Sequence, residues 1–124
     1  MNSILRSVLI LASLPLAVLA QTTSTEILGH VTDPSGAMIP NAPVKLLRVA
    51  TGQIRETTTS GAGSYSFPLI EIGEYTVTVQ APGFRTQEKK GIVVQLQQKA
   101  RVDFELAVGE TSERVEVVAS GVEL

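Results

Sequence analysis

The side chains that most often perform catalysis or bind metals are scarce in this chain. The sequence contains one histidine, His30, and no cysteine. A zinc site needs a set of Cys, His or carboxylate ligands, and an imidazole-based triad would have to be built on His30 alone. The Gly61-Ala62-Gly63 turn lacks the Lys and Ser/Thr of a phosphate-binding loop. We therefore predict no catalytic residue, no cofactor and no metal site, and we interpret His30 as a half-exposed strand residue.

A different chemistry, the pairing of one strand with a partner protein, is indicated near the end of the chain. The segment Val115-Glu116-Val117-Val118-Ala119 is rich in β-branched residues and follows the charged pair Glu113-Arg114. An extended segment of this kind can add to a sheet edge of another protein, with backbone hydrogen bonds for affinity and alternate side chains for register. The same residues are compatible with a last strand of the domain or with a linker, and these alternatives stay open.

The start of the chain, Met1 to Ala20, is typical of a secretory signal peptide. Arg6 supplies the positive charge, and an apolar stretch runs from Ser7 to Ala20 and ends in the small residue expected before cleavage. The stretch is shorter than the roughly 20 apolar residues of a membrane span. We predict a signal peptide over residues 1–20, a flexible leader over residues 21–25, and an exported mature chain without a membrane span.

The composition of the remaining chain limits its size and its partners. About 100 residues follow the signal peptide, which is enough for one domain with a modest core. The formal net charge is −2, whereas nucleic-acid binding normally needs a concentrated basic surface. Aromatic residues make up only 4% of the sequence, which argues against an open face of rings for stacking sugars. We predict no nucleic-acid partner.

Alternating apolar and polar residues, separated by turn residues, predict a domain built from β-strands. The alternation is clearest from Tyr75 to Gln80. Turns are expected at Asp33-Pro34-Ser35-Gly36 and at Thr51-Gly52, because Pro presets φ and Gly accepts a positive φ. Gln53 to Thr59 is polar and β-branched, as in an edge strand. We predict an all-β fold over residues 26–108, a small antiparallel β-sandwich of about seven strands with Greek-key connections.

Two strands near the end of this domain are predicted to form a hairpin. Ile92 to Leu96 should pair antiparallel with Val102 to Leu106, in a strand that continues to Val108, and a polar segment from Phe84 to Lys89 precedes them. The hairpin would bring together the basic residues Lys89, Lys90, Lys99 and Arg101. This group could contact acidic lipid headgroups, or it could be a solvated sheet end whose lysines prevent edge pairing. We favour the second interpretation.

Several motifs taken together resemble the carboxypeptidase regulatory-like domain family, a transthyretin-like β-sandwich. They are Gly29-His30-Val31-Thr32-Asp33, Gly36, Ile39-Pro40-Asn41-Ala42-Pro43-Val44, Thr51-Gly52, Gly63-Ser64-Tyr65-Ser66-Phe67, Gly73-Glu74-Tyr75-Thr76-Val77 and Pro82-Gly83-Phe84. The resemblance implies an accessory module that is not an enzyme, since the zinc ligands of carboxypeptidases lie in a separate catalytic domain.

The order of segments also resembles the N-terminus of Oar-like TonB-dependent outer-membrane transporters. In those proteins a signal peptide and such a module precede a plug and a β-barrel, and residues 109–124 resemble a linker that carries a TonB box at Val115–Ala119. The resemblance implies an interaction or spacer domain in the periplasm or outer membrane of a Gram-negative bacterium. Its partner would be the plug and barrel in cis or a TonB-like energy transducer. We expect a fragment of a longer receptor; the alternative is a free-standing secreted or surface binding or adhesion module.

Overall fold

The computed structural model describes residues 25–110 and 112–118. The strands in these ranges are β1 (Glu26–Thr32), β2 (Pro43–Arg48), β3 (Ile54–Thr58), β4 (Ser64–Phe67), β5 (Gly73–Val79), β6 (Thr86–Val94), β7 (Lys99–Arg101), β8 (Phe104–Glu105) and β9 (Arg114–Val118). The predicted signal peptide, leader residues 21–24 and Ala119 lie outside the described residues. Over the described ranges there is no helix with the length and apolar character needed to cross a membrane.

The strands form two sheets that pack face to face as a β-sandwich. One sheet has the order β4-β1-β7, with β8 also paired with β1, and the other has the order β3-β2-β5-β6-β9. The largest fully buried side chains come from the inner faces of both sheets and include Phe67, Phe104, Ile27, Leu46 and Ile92. The predicted all-β sandwich is therefore confirmed, with nine strands where the sequence indicated about seven.

Short turns set the register of the antiparallel pairs. The Gly36 N–H donates to the Asp33 carbonyl at 3.0 Å, and the Gly52 N–H donates to the Arg48 carbonyl at 2.8 Å. Both glycines have a positive φ, 85° and 72°, which is the reason that glycine is suited to these positions. The second turn joins β2 and β3 as a hairpin, and β3 is an edge strand of its sheet. Both turns and the edge position agree with the sequence prediction.

Three pairings are parallel, so the sandwich is mixed rather than purely antiparallel. β7 and β8 both run parallel to β1, and β9 runs parallel to β6. The predicted hairpin between Ile92–Leu96 and Val102–Leu106 is wrong, because residues 95–98 cross from the five-stranded sheet to the other sheet. The same crossover divides the predicted basic cluster between β6 and β7, on different sheets.

Within the predicted strand from Val102 to Val108, the structure has only the short strand β8, and β7 lies just before it. Between them, the Oδ1 atom of Asp103 accepts the backbone N–H of His30 at 2.8 Å, so a side chain takes the place of a ladder carbonyl. The Val102 carbonyl accepts the hydroxyl of Tyr65. Val102, Phe104 and Leu106 are buried as the alternation predicts, whereas Val108 is 70% exposed.

β6 begins earlier than predicted, and a bulge in its middle changes which of its alternating side chains face the core. The register between β5 and β6 shifts at a β-bulge, where Lys90 and Gly91 face Thr76 alone. Because of the extra residue, Glu88 lies on the outer face beside the outward residues of β5, although Ile92 points into the core. Residues 86–89 of the segment described as polar are therefore the first half of a strand.

Candidate functional site: the tail strand on the edge of β6

The predicted partner strand forms β9, at one edge of the five-stranded sheet. Its residues Arg114 to Val118 pair in parallel with Thr86 to Lys90 of β6. In this arrangement the segment is the last strand of the sandwich, which is one of the alternatives left open by the sequence. The structure thus places Val115, Glu116, Val117 and Val118 in one strand, while Ala119 lies outside the described residues.

The side chains of β9 bury little apolar surface. All five of its residues are exposed. Val115 and Val117 pair with Gln87 and Lys89, yet they remain 38% and 36% exposed, and Val118 is 69% exposed. Full burial of a valine would stabilise a strand by roughly 1.5–3 kcal/mol. Apolar packing therefore contributes only a part of the free energy that holds β9 in place.

Ion pairs supply a second set of contacts between the tail and β6. Three of them are Arg85–Glu113 at 2.6 Å, Lys90–Glu116 at 3.1 Å and Arg114–Glu88 at 3.3 Å. Apart from Glu88, these side chains are between 45% and 54% exposed. Exposed ion pairs typically contribute from 0 to about 1 kcal/mol each and are screened by salt. The attachment of β9 should therefore weaken as ionic strength rises.

Glu88 is the most buried member of this charged group, with a side chain that is 10% exposed. Its Oε2 atom accepts the hydroxyl of Thr78 at 3.3 Å, and its carboxylate meets Lys90 on β6 and Arg114 on β9. The pKa of the Lys90 ammonium is raised, mainly by its hydrogen bond to Glu116 and to a smaller extent by its hydrogen bond to Glu88. Detachment of β9 would leave Glu88 with one of its two cationic neighbours.

The connection before β9 is fixed to the domain at both of its ends. At its start, the Gly109 N–H donates to the Gly83 carbonyl at 3.1 Å. At its end, the Glu113 carbonyl accepts the Thr86 N–H at 2.8 Å, and the Glu113 N–H donates to the Glu110 carbonyl. The described contacts between the tail and β6 therefore lie after Gly109, and the hydrophobic core cluster contains no residue of β9.

A second candidate surface lies at the end of the sandwich where β1 begins. The β2–β3 hairpin and the loops 68–72 and 95–98 come together there, because β2, β4 and β6 end at the side where β1, β5 and β7 begin. These segments expose aliphatic side chains: Val49 at 51%, Leu69 at 78%, Ile72 at 53% and Leu96 at 75%. We call this surface the apolar loop end.

Thr25 holds two of the three segments of the apolar loop end. Its carbonyl accepts the Ile70 N–H at 3.0 Å, and its hydroxyl accepts the Gln97 N–H at 3.1 Å. Leu69 and Gln97 have φ values of 55° and 58°, a region that residues other than glycine seldom occupy. Backbone strain of this kind tends to cluster at functional sites, and here it presents an exposed leucine.

His30 lies on the outer face of β1, half-exposed as predicted. Its Nδ1 atom is 3.9 Å from Asp103 Oδ1 and 3.4 Å from an amino nitrogen of Arg101. Ser64, its partner across the ladder to β4, bonds to the hydroxyl of Ser60 at 2.8 Å. In the ranges that the structure describes, no group of three His, Cys, Asp or Glu side chains could hold a metal ion.

The sequence pattern indicated the tail but not the residues that contact it. The sequence pattern places Arg85 and Glu88 in a polar segment and Lys90 in a basic cluster, since the bulge in β6 hides the strand. A signal was nevertheless present. An acidic and a basic residue stand two positions apart at 88 and 90, and a basic and an acidic residue stand two positions apart at 114 and 116.

Comparison with known families identifies the domain. A family model described as the carboxypeptidase regulatory-like domain matches residues 26–107. This range covers eight of the nine strands and ends before β9. Among curated proteins, none has a sequence that matches this chain.

Solved structures with a similar fold were also found. The Streptococcal ancillary pilin has a TM-score of 0.58 and 14% identity, over 71% of this chain and 33% of the pilin. The Bacillus anthracis TIE protein has a TM-score of 0.57 and 14% identity, over 68% of this chain and 16% of that protein. A Bacteroides uniformis protein proposed to bind carbohydrate has a TM-score of 0.54 and 20% identity, over 65% and 40%. These likenesses show the fold alone, and this chain covers less than half of each of the three.

Proposed function

Because the chain belongs to the carboxypeptidase regulatory-like domain family, we propose that it is a non-catalytic interaction module whose tail strand pairs with a partner protein. The observation that carries this proposal is β9, an edge strand with three valines among its five residues, all of which are exposed. Its contacts are ladder hydrogen bonds and exposed ion pairs. Such a strand can exchange one sheet edge for another with little loss of buried apolar area.

The module acts at the outer membrane, as part of a TonB-dependent transporter. Two sequence features support this setting: the apolar stretch from Ser7 to Ala20, which is typical of an export signal, and the resemblance of Val115–Ala119 to a TonB box. In this setting the partner is the plug and barrel of the same receptor or a TonB-like energy transducer. The module contributes protein contact and spacing rather than chemistry.

A second function, that of a secreted or surface binding module, is favoured by the apolar loop end. Exposed aliphatic residues on adjacent loops are typical of a protein-binding surface, and the strained backbone at Leu69 displays one of them. The structural likeness to a pilin and to a protein proposed to bind carbohydrate is compatible with this role. Since the loop end has no exposed aromatic ring, its ligand would be a protein rather than a sugar.

Fractionation of cells of the source organism distinguishes the two functions. An antibody raised against residues 21–108 should detect a band in the outer-membrane fraction that is much larger than this chain. A cytoplasmic marker protein, followed on the same blot, controls for leakage between fractions. A small band in the culture medium would contradict the transporter setting and support the binding module, and a cytoplasmic band would contradict both functions.

A further inference from the structure

The charges on the edge of β6 and on the tail match when the two strands run parallel. In the ladder, Arg114 stands beside Thr86 and Glu116 stands beside Glu88. The ion pairs are diagonal: Arg114 reaches Glu88 and Glu116 reaches Lys90. Each tail charge therefore contacts the β6 residue two positions beyond its ladder partner, in the same direction along the strand.

An antiparallel tail would place more like charges together. In the parallel ladder Glu116 stands beside Glu88, and Lys90 forms ion pairs with both carboxylates. An antiparallel tail centred on the same residues would place Arg114 opposite Lys90 as well as Glu116 opposite Glu88. Like charges in neighbouring strand positions are destabilising. The low exposure of Glu88 strengthens this selection, because partly buried charges are screened less by solvent than exposed ones.

The backbone of β6 provides hydrogen bonds that do not depend on the sequence of the bound strand. β5 pairs with one edge of β6, and β9 pairs with the other edge. Without β9, the backbone groups of β6 that face β9 would form an open edge, and an open edge is a template for any extended chain. The side-chain charges then decide which chain is accepted and in which direction.

We propose that the β6 edge is a strand-binding site that selects, in parallel, a strand of basic–apolar–acidic pattern, and that the tail is its resident ligand. Arg85, Glu88 and Lys90 form the recognition residues of the site. One consequence rests on the proposed function: release of the tail from this site precedes full engagement of a partner. A released tail offers both of its backbone edges, whereas β9 bound to β6 offers one.

Charge reversal in the full chain tests the selection. The exposed pair of tail substitutions Arg114→Glu and Glu116→Arg should accelerate hydrogen exchange at the β6 amides that face β9 by about tenfold. Addition of Glu88→Arg and Lys90→Glu should restore the slow exchange, because the signs of the charges are then reversed on both strands. Glu26→Lys with Lys99→Glu, a reversed pair on β1 and β7 of the other sheet, is the matched control and should leave β6 unchanged. Equal exchange in wild type and tail variant would overturn the proposal.

A peptide added in trans tests the same site without relying on the Glu88 variant to fold. The probe is a synthetic peptide of residues 111–121, added to the full chain that carries Arg114→Glu and Glu116→Arg. The wild-type peptide should bind and protect the β6 amides, and 0.5 M salt should weaken the complex. A peptide with the two charges reversed should bind at least tenfold more weakly. No binding, or equal binding of both peptides, would overturn the proposal while leaving the pairing of the tail with a partner protein untested by this result.

Discussion

Replacement of Gly29 by alanine is expected to destabilise the sandwich severely. A Cβ atom at this position would lie 1.9 Å from the Val102 carbonyl oxygen, 2.7 Å from the Val102 carbonyl carbon and 3.0 Å from the Tyr65 hydroxyl. The obstacle is backbone, and it cannot easily move, because Val102 accepts the Tyr65 hydroxyl and donates its N–H to the Leu28 carbonyl at 2.8 Å. We expect a loss of about 4 kcal/mol or more, against a typical total stability of about 5–15 kcal/mol.

Urea denaturation followed by circular dichroism measures this loss. The matched control is Gly61→Ala, since a Cβ atom on Gly61 would have no other atom within 4 Å. The control should unfold at a midpoint close to that of the wild type. Similar midpoints for Gly29→Ala and Gly61→Ala would contradict the close approach of β1 to Val102 and, with it, the parallel pairing of β1 with β7 and β8.

Replacement of Phe104 by alanine is expected to cost roughly 3–5 kcal/mol. Phe104 is 1% exposed and comes from β8, which has only two residues. Its ring centroid lies 6.3 Å from that of Tyr65, and the Lys89 ammonium lies 4.9 Å from the ring centroid. Truncation would leave a cavity between the sheets and would remove the ring that the Lys89 ammonium contacts.

The stability of this variant can be compared with that of Leu96→Ala. Leu96 is also apolar but is 75% exposed in the loop that follows β6, so its truncation should change the free energy of unfolding by no more than about 0.5 kcal/mol. The test is thermal or urea unfolding of both variants under one set of conditions. If Phe104→Ala and Leu96→Ala unfold at the same midpoint, the assignment of Phe104 to the core is wrong.

The alternation of apolar residues and the positions of turn glycines predicted the inward faces of strands and the tight turns. Tyr75, Val77 and Val79 point into the core as their alternation indicated, and the turns at Gly36 and Gly52 follow from the φ that glycine accepts. The parallel partners of β1 were not predictable in this way. Lys99 pairs with Glu26 over a long separation in sequence, and such pairing depends on how the two sheets pack.

In the candidate site, too, the extended segment was predictable from the sequence, but its pairing partner was not. The β-branched residues of the tail, Val115 to Val118, predicted an extended segment, and the structure has a strand there. The recognition residues Glu88 and Lys90 were missed because the bulge at Gly91 changes which face the alternating residues occupy. Charge pairs across two strands need a register, and the register of β6 and β9 is set only when both have joined the sheet.

Site-specific photo-crosslinking in intact cells of the source organism tests most directly the central claim, that the tail pairs with a partner protein. A photoreactive residue replaces Val118, which is 69% exposed on β9, and in a matched strain it replaces Glu56 on the opposite edge strand β3. The claim predicts a light-dependent adduct with an envelope protein from position 118 only, and loss of that adduct when Glu116→Pro removes a backbone N–H from the outer edge of the tail. No adduct at position 118, or equal adducts at both positions, would contradict it.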